Sequence, residues 1–371
     1  MVFGNDDEGA GGRAAVRRRW LSRPVRGQGN AIAASRDVAV VIPARNEEAR
    51  IDRCLEALAL QGPAALARTF IVLVANNCTD MTVGRAVDAA RRLGLALHAL
   101  DLVFPDGGSV GLARQVGCRT ALTLQPGLGY ILTSDADGRV APDWVANSVR
   151  HLETVDAVCG RFHADPAEEA LLPDHIRPAA ALEYIYFQAS LEFESLLRTH
   201  SSTSRPHHGQ AGGASLGFRV DAFEALGGFR DMICGEDREI IRRFKDRGYR
   251  VRHADDVRVV VSCRLDGRAP GGMADSISRR IADNDDWADE SLLPARLFVR
   301  KGLGAAESQR AFHLGDPAEP AHRLRPSGLS REIDALTSVN ARLRMARPGD
   351  LVRTLRDILA SDMAADGDPP V

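Results

Sequence analysis

The chain has 371 residues, a hydrophobic share of 44% and a formal net charge of −2, which allows one large α/β domain plus a smaller appendage and a sizeable core. No apolar run approaches the ~18–20 residues that span a bilayer, and the first residues lack the apolar stretch of a secretory signal. No integral membrane segment and no nucleic-acid partner are therefore expected, and the protein is placed in the cytoplasm. Cys54, Cys78, Cys118, Cys159, Cys234 and Cys263 are scattered singly, without the close CxxC pairs of zinc or redox sites, and read as reduced thiols.

Residues 1–36 form a basic leader carrying Arg13, Arg17, Arg18, Arg19, Arg23 and Arg26. It reads as a solvated, disordered arm; the alternative is contact with anionic lipid or polyphosphate through Trp20 and the arginines. Val38 to Ile42 is an apolar, β-branched strand, followed by a polar turn and by Ile51, Cys54, Leu55 and Leu58 at helical spacing. The unit recurs as a strand from Phe70 to Ala75, a loop from Asn76 to Asp80, and a helix with Val83, Ala86, Val87 and Ala90 on one face, stopped at Gly94. A strand from Leu95 to Leu100, a helix from Gly111 to Leu124 and a strand from Tyr130 to Thr133 follow. The last delivers Ser134, Asp135, Ala136 and Asp137 into a loop, ahead of a helix with Pro142 in its first turn.

Beyond a strand over 156–162 the spacing predicts a long amphipathic helix over 179–198, whose apolar face suits core packing or a partner, a homodimer included. A polar loop over 201–208 contains His207 and His208, which read as solvated. Then come a glycine-rich stretch over 209–217, a helix over 220–226 stopped by Gly227 and Gly228, a charged helix over 236–247, and strands over 249–253 and 257–262. From about Arg280 the chain is charged and helical. Alternating strands and helices with continuously apolar strands predict a mainly parallel sheet covered on both faces, with ligands at the carboxyl ends of the strands. The expected division is 37–278 as the main domain, in two halves at 37–140 and 141–278, and 279–371 as a helical extension.

The candidate chemistry gathers at those strand ends. Asp135 and Asp137, at i and i+2 after a buried strand, can converge on a hard cation while water and phosphate oxygens complete its shell; the alternative is a turn with helix-capping aspartates. The loop Pro43-Ala44-Arg45-Asn46-Glu47 and the pair Asn76 and Asn77 face the same crevice, with groups able to hydrogen-bond a nucleobase and ribose. Arg114 can meet phosphate as a bidentate donor. Glu236 and Asp237 open a charged helix, where the dipole favours negative charge in any case. Their pairing with Gly212, Gly213, Ala214 and Ser215, where little bulk stands between a sugar-sized ligand and the backbone, also suits a general base beside an acceptor.

In the order VVIPARNEE, VANNCTD, GLARQVG, TSDADGRVAPDW, GQAGGASLGF and GGFRDMICGEDREI, these residues resemble the family 2 glycosyltransferases of the GT-A fold, over about Val38 to Ser262. The resemblance implies a nucleotide-diphosphate sugar donor held by Pro43 to Glu47, Asn76, Asn77, Arg114 and the 135–137 triplet. It implies nucleotide binding for the half over 37–140 and acceptor binding for the half over 141–278. It further implies Mg²⁺ or Mn²⁺ on Asp135 and Asp137, Asp237 as the base of an inverting transfer, and Glu236 with Gly213 to Ser215 orienting the acceptor, whose identity is open. Many relatives carry an Asp pair where this chain has Asn76 and Asn77, which leaves the nucleotide open as well. Arg264-Leu265-Asp266-Gly267-Arg268 through Gly272 resembles the loop that closes over the donor diphosphate, with an ordinary surface turn as the alternative. The rivals are a sugar nucleotidyltransferase, disfavoured by the lack of a GxGxR-like loop after the first strand, and an inactive nucleotide- or glycan-binding module. A Rossmann dehydrogenase is set aside because PARNEE stands where GxGxxG would be.

Overall fold

The computed structural model describes residues 21–23, 36–198, 207–308, 312, 314 and 319–361. In chain order the first half runs β1 (Leu21–Arg23), β2 (Val38–Ala44), α1 (Ile51–Ala59), α2 (Pro63–Arg68), β3 (Thr69–Asn76), α3 (Thr82–Leu93), β4 (Leu97–Val103), α4 (Val110–Leu124), β5 (Tyr130–Thr133), β6 (Arg139–Val140) and α5 (Trp144–Leu152). The second half continues with β7 (Ala157–Ala164), α6 (Pro166–Glu169), α7 (Arg177–Arg198), β8 (Leu216–Arg219), α8 (Val220–Ala225), α9 (Glu236–Asp246), β9 (Val251–Val261), α10 (Met273–Ala282), α11 (Ala295–Glu307), α12 (Leu329–Met345) and α13 (Leu351–Ser361).

The nine strands form one sheet in the order β1-β4-β3-β2-β5-β8-β7-β9-β6. From β4 through β5 every pairing is parallel, as the apolar strands predict. Beyond β5 the sheet becomes mixed, because β8 lies antiparallel between β5 and β7. Side chains alternate between faces along each strand. Val38, Val40 and Ile42 therefore pack with α1, α3 and α5 on one side, while Ala39 and Val41 pack with α4, α8 and α9 on the other. All eight residues of β3 are buried, and each fully buried Val, Ile or Leu adds about 1.5–3 kcal/mol over its exposed state.

A third core joins α7 to the C-terminal helices: Tyr186 and Phe193 pack with Phe298, Leu336, Val339 and Leu355. That settles most of the apolar face of α7 as core, although Tyr184 and Ile185 remain exposed. Other elements also depart from the sequence reading. At 21–23 the basic leader is a strand, not a disordered arm, and pairs antiparallel with β4; β4 would otherwise present an open sheet edge. The rest of residues 1–35, and 199–206 of the predicted polar loop, lie outside the described residues. The two strands expected over 249–262 are one strand, β9, whose register with β7 jumps from Ala254 to Arg258 opposite Gly160 and Arg161. Helix α2 was not anticipated, although Pro63 stands in its first turn, where proline is favoured.

Candidate functional site

The topology brings the motif loops together before any side chain is considered. Parallel β2, β3 and β5 end at one edge, so the loops after Ala44, Asn76 and Thr133 are neighbours. Antiparallel β8 starts where β5 stops, with Leu216 opposite Thr133. The glycine-rich stretch before β8 is thereby laid beside Asp135, and the Thr133 hydroxyl donates to the Gly213 carbonyl at 2.8 Å. Helix α4 lies against β2 and β3 at Gly117, where a Cβ would come within 2.4 Å of Val41. That close approach carries Arg114, one turn earlier, to the same edge.

Arg114 is the hub. Its side chain is 4% exposed, and its guanidinium donates to Asp135 Oδ1 at 2.5 Å through Nη2 and to Glu236 through Nη1. The face of the guanidinium lies on Gly213, where a Cβ would fall 2.1 Å from Nη2. The Gly213 amide in turn donates to Asp237 Oδ2 at 2.8 Å, and the Arg238 amide donates to Asp237 Oδ1 at 2.8 Å. Asp135, Gly213, Glu236 and Asp237, spread over a hundred residues of sequence, thus share one cluster. In this structure each terminal nitrogen of Arg114 donates to a carboxylate.

A second arginine joins the loop after β2 to the Asp135–Asp137 turn. Arg264 pairs through both terminal nitrogens with Glu47, at 2.7 Å for Nη1, and reaches Asp137 Oδ2 at 3.1 Å. Burial, reinforced by the Asp135 carboxylate and only partly offset by Arg264, pushes the Asp137 carboxyl up to about 6. Arg268 donates to the Asn46 carbonyl at 3.2 Å, so the 264–272 segment lies across the loop after β2. Among the described residues no cluster of three or more His, Cys, Asp or Glu is arranged to hold a metal ion.

Other predicted residues have structural occupations. Pro43 and Ala44 extend β2 instead of opening the loop, and Pro43 sits beyond the last β2–β5 pair, Val41 with Thr133, where its missing N–H costs least. Arg45 donates weakly to the Gly107 carbonyl at 3.4 Å. Asn46 holds φ 55° and accepts from the Thr79 amide at 2.8 Å. Asn77 pairs through both ends of its amide with the backbone of Phe104, donating at 2.9 Å and accepting at 2.9 Å. Asn76 is buried and donates to the Ser109 carbonyl at 3.4 Å, leaving its Oδ1 buried with no partner. Ala136 and Ala214 are buried in the core, and the Ser215 hydroxyl is fully buried, accepting from the Trp144 indole at 2.8 Å.

Sequence reasoning missed several supports. Cys54, its thiol pushed up by burial and the surrounding carboxylates, donates to the Asp135 carbonyl at 3.4 Å. Thr82 receives the Glu47 amide at 2.7 Å and itself donates to Asp80. Glu168 ties Arg50 to the Ser262 hydroxyl and the Cys263 amide; these partners outweigh its burial and hold its carboxyl down to about 2. Only Asp80, two residues before a helix-start threonine, carried a local signal.

The family model for Glycosyl transferase family 2 matches residues 39–226, just over half of the chain. The chain belongs to glycosyl transferase family 2. The sequence resemblance is thereby borne out, with glycosyl transfer as the activity class and the GT-A sheet as its scaffold, and the nucleotidyltransferase alternative falls away. The match ends before Glu236 and Asp237. No curated protein matches this transferase. Among solved structures it is similar to the mannosyltransferase PcManGT from Pyrobaculum calidifontis in complex with GDP-Man and Mn²⁺, at 20% identity and TM-score 0.43, covering 94% of this chain and 80% of that one. It is also similar to S. aureus TarS 1-349 in complex with UDP-GlcNAc, at 15% identity and TM-score 0.44, covering 88% and 91%. A third is glucosyl-3-phosphoglycerate synthase from Mycobacterium tuberculosis with Mn²⁺, UDP and phosphoglyceric acid, at 17% identity and TM-score 0.40, covering 67% and 77%. No described helix is long and apolar enough to cross a membrane.

Proposed function

We propose that this family 2 transferase moves a sugar from a nucleoside-diphosphate sugar to an acceptor hydroxyl with inversion, using Asp237 as the base. The observation that carries the reading is the shared cluster: Arg114 grips Asp135 and Glu236 together while Gly213, packed on that guanidinium, holds Asp237. Donor-side and acceptor-side groups are thereby locked at one distance from each other. The donor side is residues 43–47, Asn76 and the 135–137 turn, and the acceptor side is Gly213, Glu236 and Asp237. In this reading 37–278 is the transferase domain, extended by the helices that share the core of α7, and the chain works in the cytoplasm, where its six free cysteines stay reduced.

Asp135 and Asp137 fit a divalent ion such as Mg²⁺ or Mn²⁺. They offer hard oxygens from two neighbouring carboxylates, with the Asp137 carboxyl raised mainly by its burial and then by the Asp135 carboxylate beside it. Two carboxylates are what such ions commonly take from protein when substrate phosphate and water supply the rest. Bound there, the ion would stabilise the charge that builds on the departing diphosphate. Asp237, held by two backbone amides, takes the acceptor proton as the hydroxyl oxygen attacks the anomeric carbon from the face opposite the nucleotide. Glu236, fixed by Arg114, orients the acceptor, and Arg264 with Arg268 closes the donor side and excludes water.

Asp237→Asn tests the assignment. Transfer, or release of nucleotide from the donor, falls by at least ~10²-fold, the low end of a general base's contribution, while nucleotide binding followed by calorimetry stays within about twofold. A variant that turns over at the wild-type rate overturns it.

A further inference from the structure

The segment between α10 and α11 belongs to the C-terminal core yet reaches the helix that carries the base. The guanidinium groups of Arg325 and Arg323 lie over the Trp287 ring, 4.3 and 5.4 Å from its centre. The Ala288 amide donates to the Leu324 carbonyl at 2.9 Å, the Ala288 carbonyl accepts from Arg323 at 3.1 Å, and Ala288, Leu292 and Leu293 are buried in the third core. From this anchored stretch Asp289 receives Arg238 in a two-pronged pair, Nη1 to Oδ1 at 3.1 Å and Nη2 to Oδ2 at 3.0 Å. Asp289 is oriented further by Ser291, whose amide and hydroxyl donate to Oδ1 at 2.9 and 2.6 Å. Its own amide donates to Glu183 of α7 at 3.2 Å, and Arg280 donates to the same Glu183 oxygen at 2.8 Å.

Arg238 is the residue after the proposed base, and its amide is one of the two that hold the Asp237 carboxylate. Helix α9 is preceded by Gly235, with φ 83° and no side-chain cap, and its first turn is held from outside the helix at Glu236 by Arg114 and at Asp237 by the Gly213 amide. The Arg238–Asp289 pair adds a third external restraint. A planar guanidinium facing a carboxylate through two parallel bonds fixes direction as well as distance.

We propose that Asp289 is a positioning residue for the transfer: through Arg238 it holds the first turn of α9, and with it Asp237, in register with Gly213 and the acceptor, which makes the C-terminal helical unit part of the active site. This rests on Asp237 being the base. The test uses the full chain and Asp289→Asn, Asp289→Glu and Asp237→Asn variants, with two readouts. The first is hydrogen–deuterium exchange of the peptide over residues 236–240, compared with that over 329–345. Asp289→Asn raises exchange at 236–240 and leaves 329–345 unchanged; unchanged exchange at 236–240, or a rise confined to 329–345, overturns the proposal. The second is nucleotide release from GDP-mannose, UDP-glucose and UDP-N-acetylglucosamine with Mn²⁺ and water as acceptor. Asp289→Asn lowers kcat about tenfold while KM for the donor stays within about twofold, and Asp289→Glu recovers most of the rate, as loss of alignment by a remote residue requires. Equal kcat in Asp289→Asn and wild type overturns the proposal. Should Asp237→Asn release nucleotide at the wild-type rate, the base assignment fails instead, and the exchange at 236–240 still decides whether Asp289 orders that turn.

Discussion

Replacing Gly213 by alanine strikes the point where the proposed donor and acceptor elements meet. The added Cβ would lie 2.1, 2.3 and 2.5 Å from Nη2, Cζ and Nη1 of Arg114, against an ordinary carbon contact of about 3.5–4 Å. The guanidinium must retreat by more than an ångström, yet it is 4% exposed and held by Asp135 and Glu236. Overpacking alone costs about 1–3 kcal/mol, and breaking a buried ion pair about 3–5 kcal/mol. Since retreat relieves the first by paying part of the second, the expected loss for Gly213→Ala is about 2–4 kcal/mol. Gly212→Ala is the control: its Cβ meets only the Phe162 ring, at 3.3 Å, and costs less than about 1 kcal/mol. Urea denaturation of both variants, followed by nucleotide binding in the presence of Mn²⁺, reads the difference. Gly213→Ala should also bind donor nucleotide more weakly, because Asp135 moves with Arg114. A Gly213→Ala protein as stable as the Gly212→Ala protein, with unchanged nucleotide binding, would refute the idea that this guanidinium organises the site.

Arg264→Met leaves Glu47 and Asp137 facing each other without their shared cation, so the metal-free protein should lose about 2–4 kcal/mol; thermal melts should show a larger Mn²⁺ stabilisation in the variant than in the wild type, and an equal or smaller one counts against the arrangement. Glu168 is held down to about 2 from an ordinary 4.5, so its contribution is present above pH 4.5 and fades as pH falls towards 2. Glu168→Gln should therefore cost about 1–2 kcal/mol at pH 7, after allowance for screening near the surface, and the gap from wild type should shrink in urea titrations at pH 3.5; a gap independent of pH would contradict the pairing with Arg50, Ser262 and Cys263.

What was legible in the sequence was whatever a short window decides. The apolar, β-branched runs that became β2, β3 and β5 leave no competing periodicity, and Gly94 ends α3 at φ 68° because a left-handed residue is needed there. Strand β9 read as two because the acidic Asp255 and Asp256 interrupt its alternation, whereas the sheet absorbs them in the register jump beside β7. The motif loops were found, but their side-chain duties were not, since those depend on partners far away in sequence. Ser215 looked free to meet an acceptor until Trp144 claimed its hydroxyl, Asn77 looked free to meet a base until Phe104 claimed its amide, and Glu47 answers to Arg264, 217 residues later. The same holds for α7, whose apolar face could not declare whether a second subunit or residues 288–358 would cover it.

The proposed donor site has Asp135 and Asp137 acting with a divalent ion beside the Arg114 cluster. Its most direct test is thermal stability of the wild type and Asp137→Ala against UDP, GDP, CDP and dTDP, each with and without Mn²⁺. A nucleotide at 100 times its dissociation constant adds about 2.7 kcal/mol. A shift with at least one nucleotide that requires Mn²⁺ and disappears in Asp137→Ala is the predicted result; a shift that survives in Asp137→Ala, or none with any nucleotide, would contradict it.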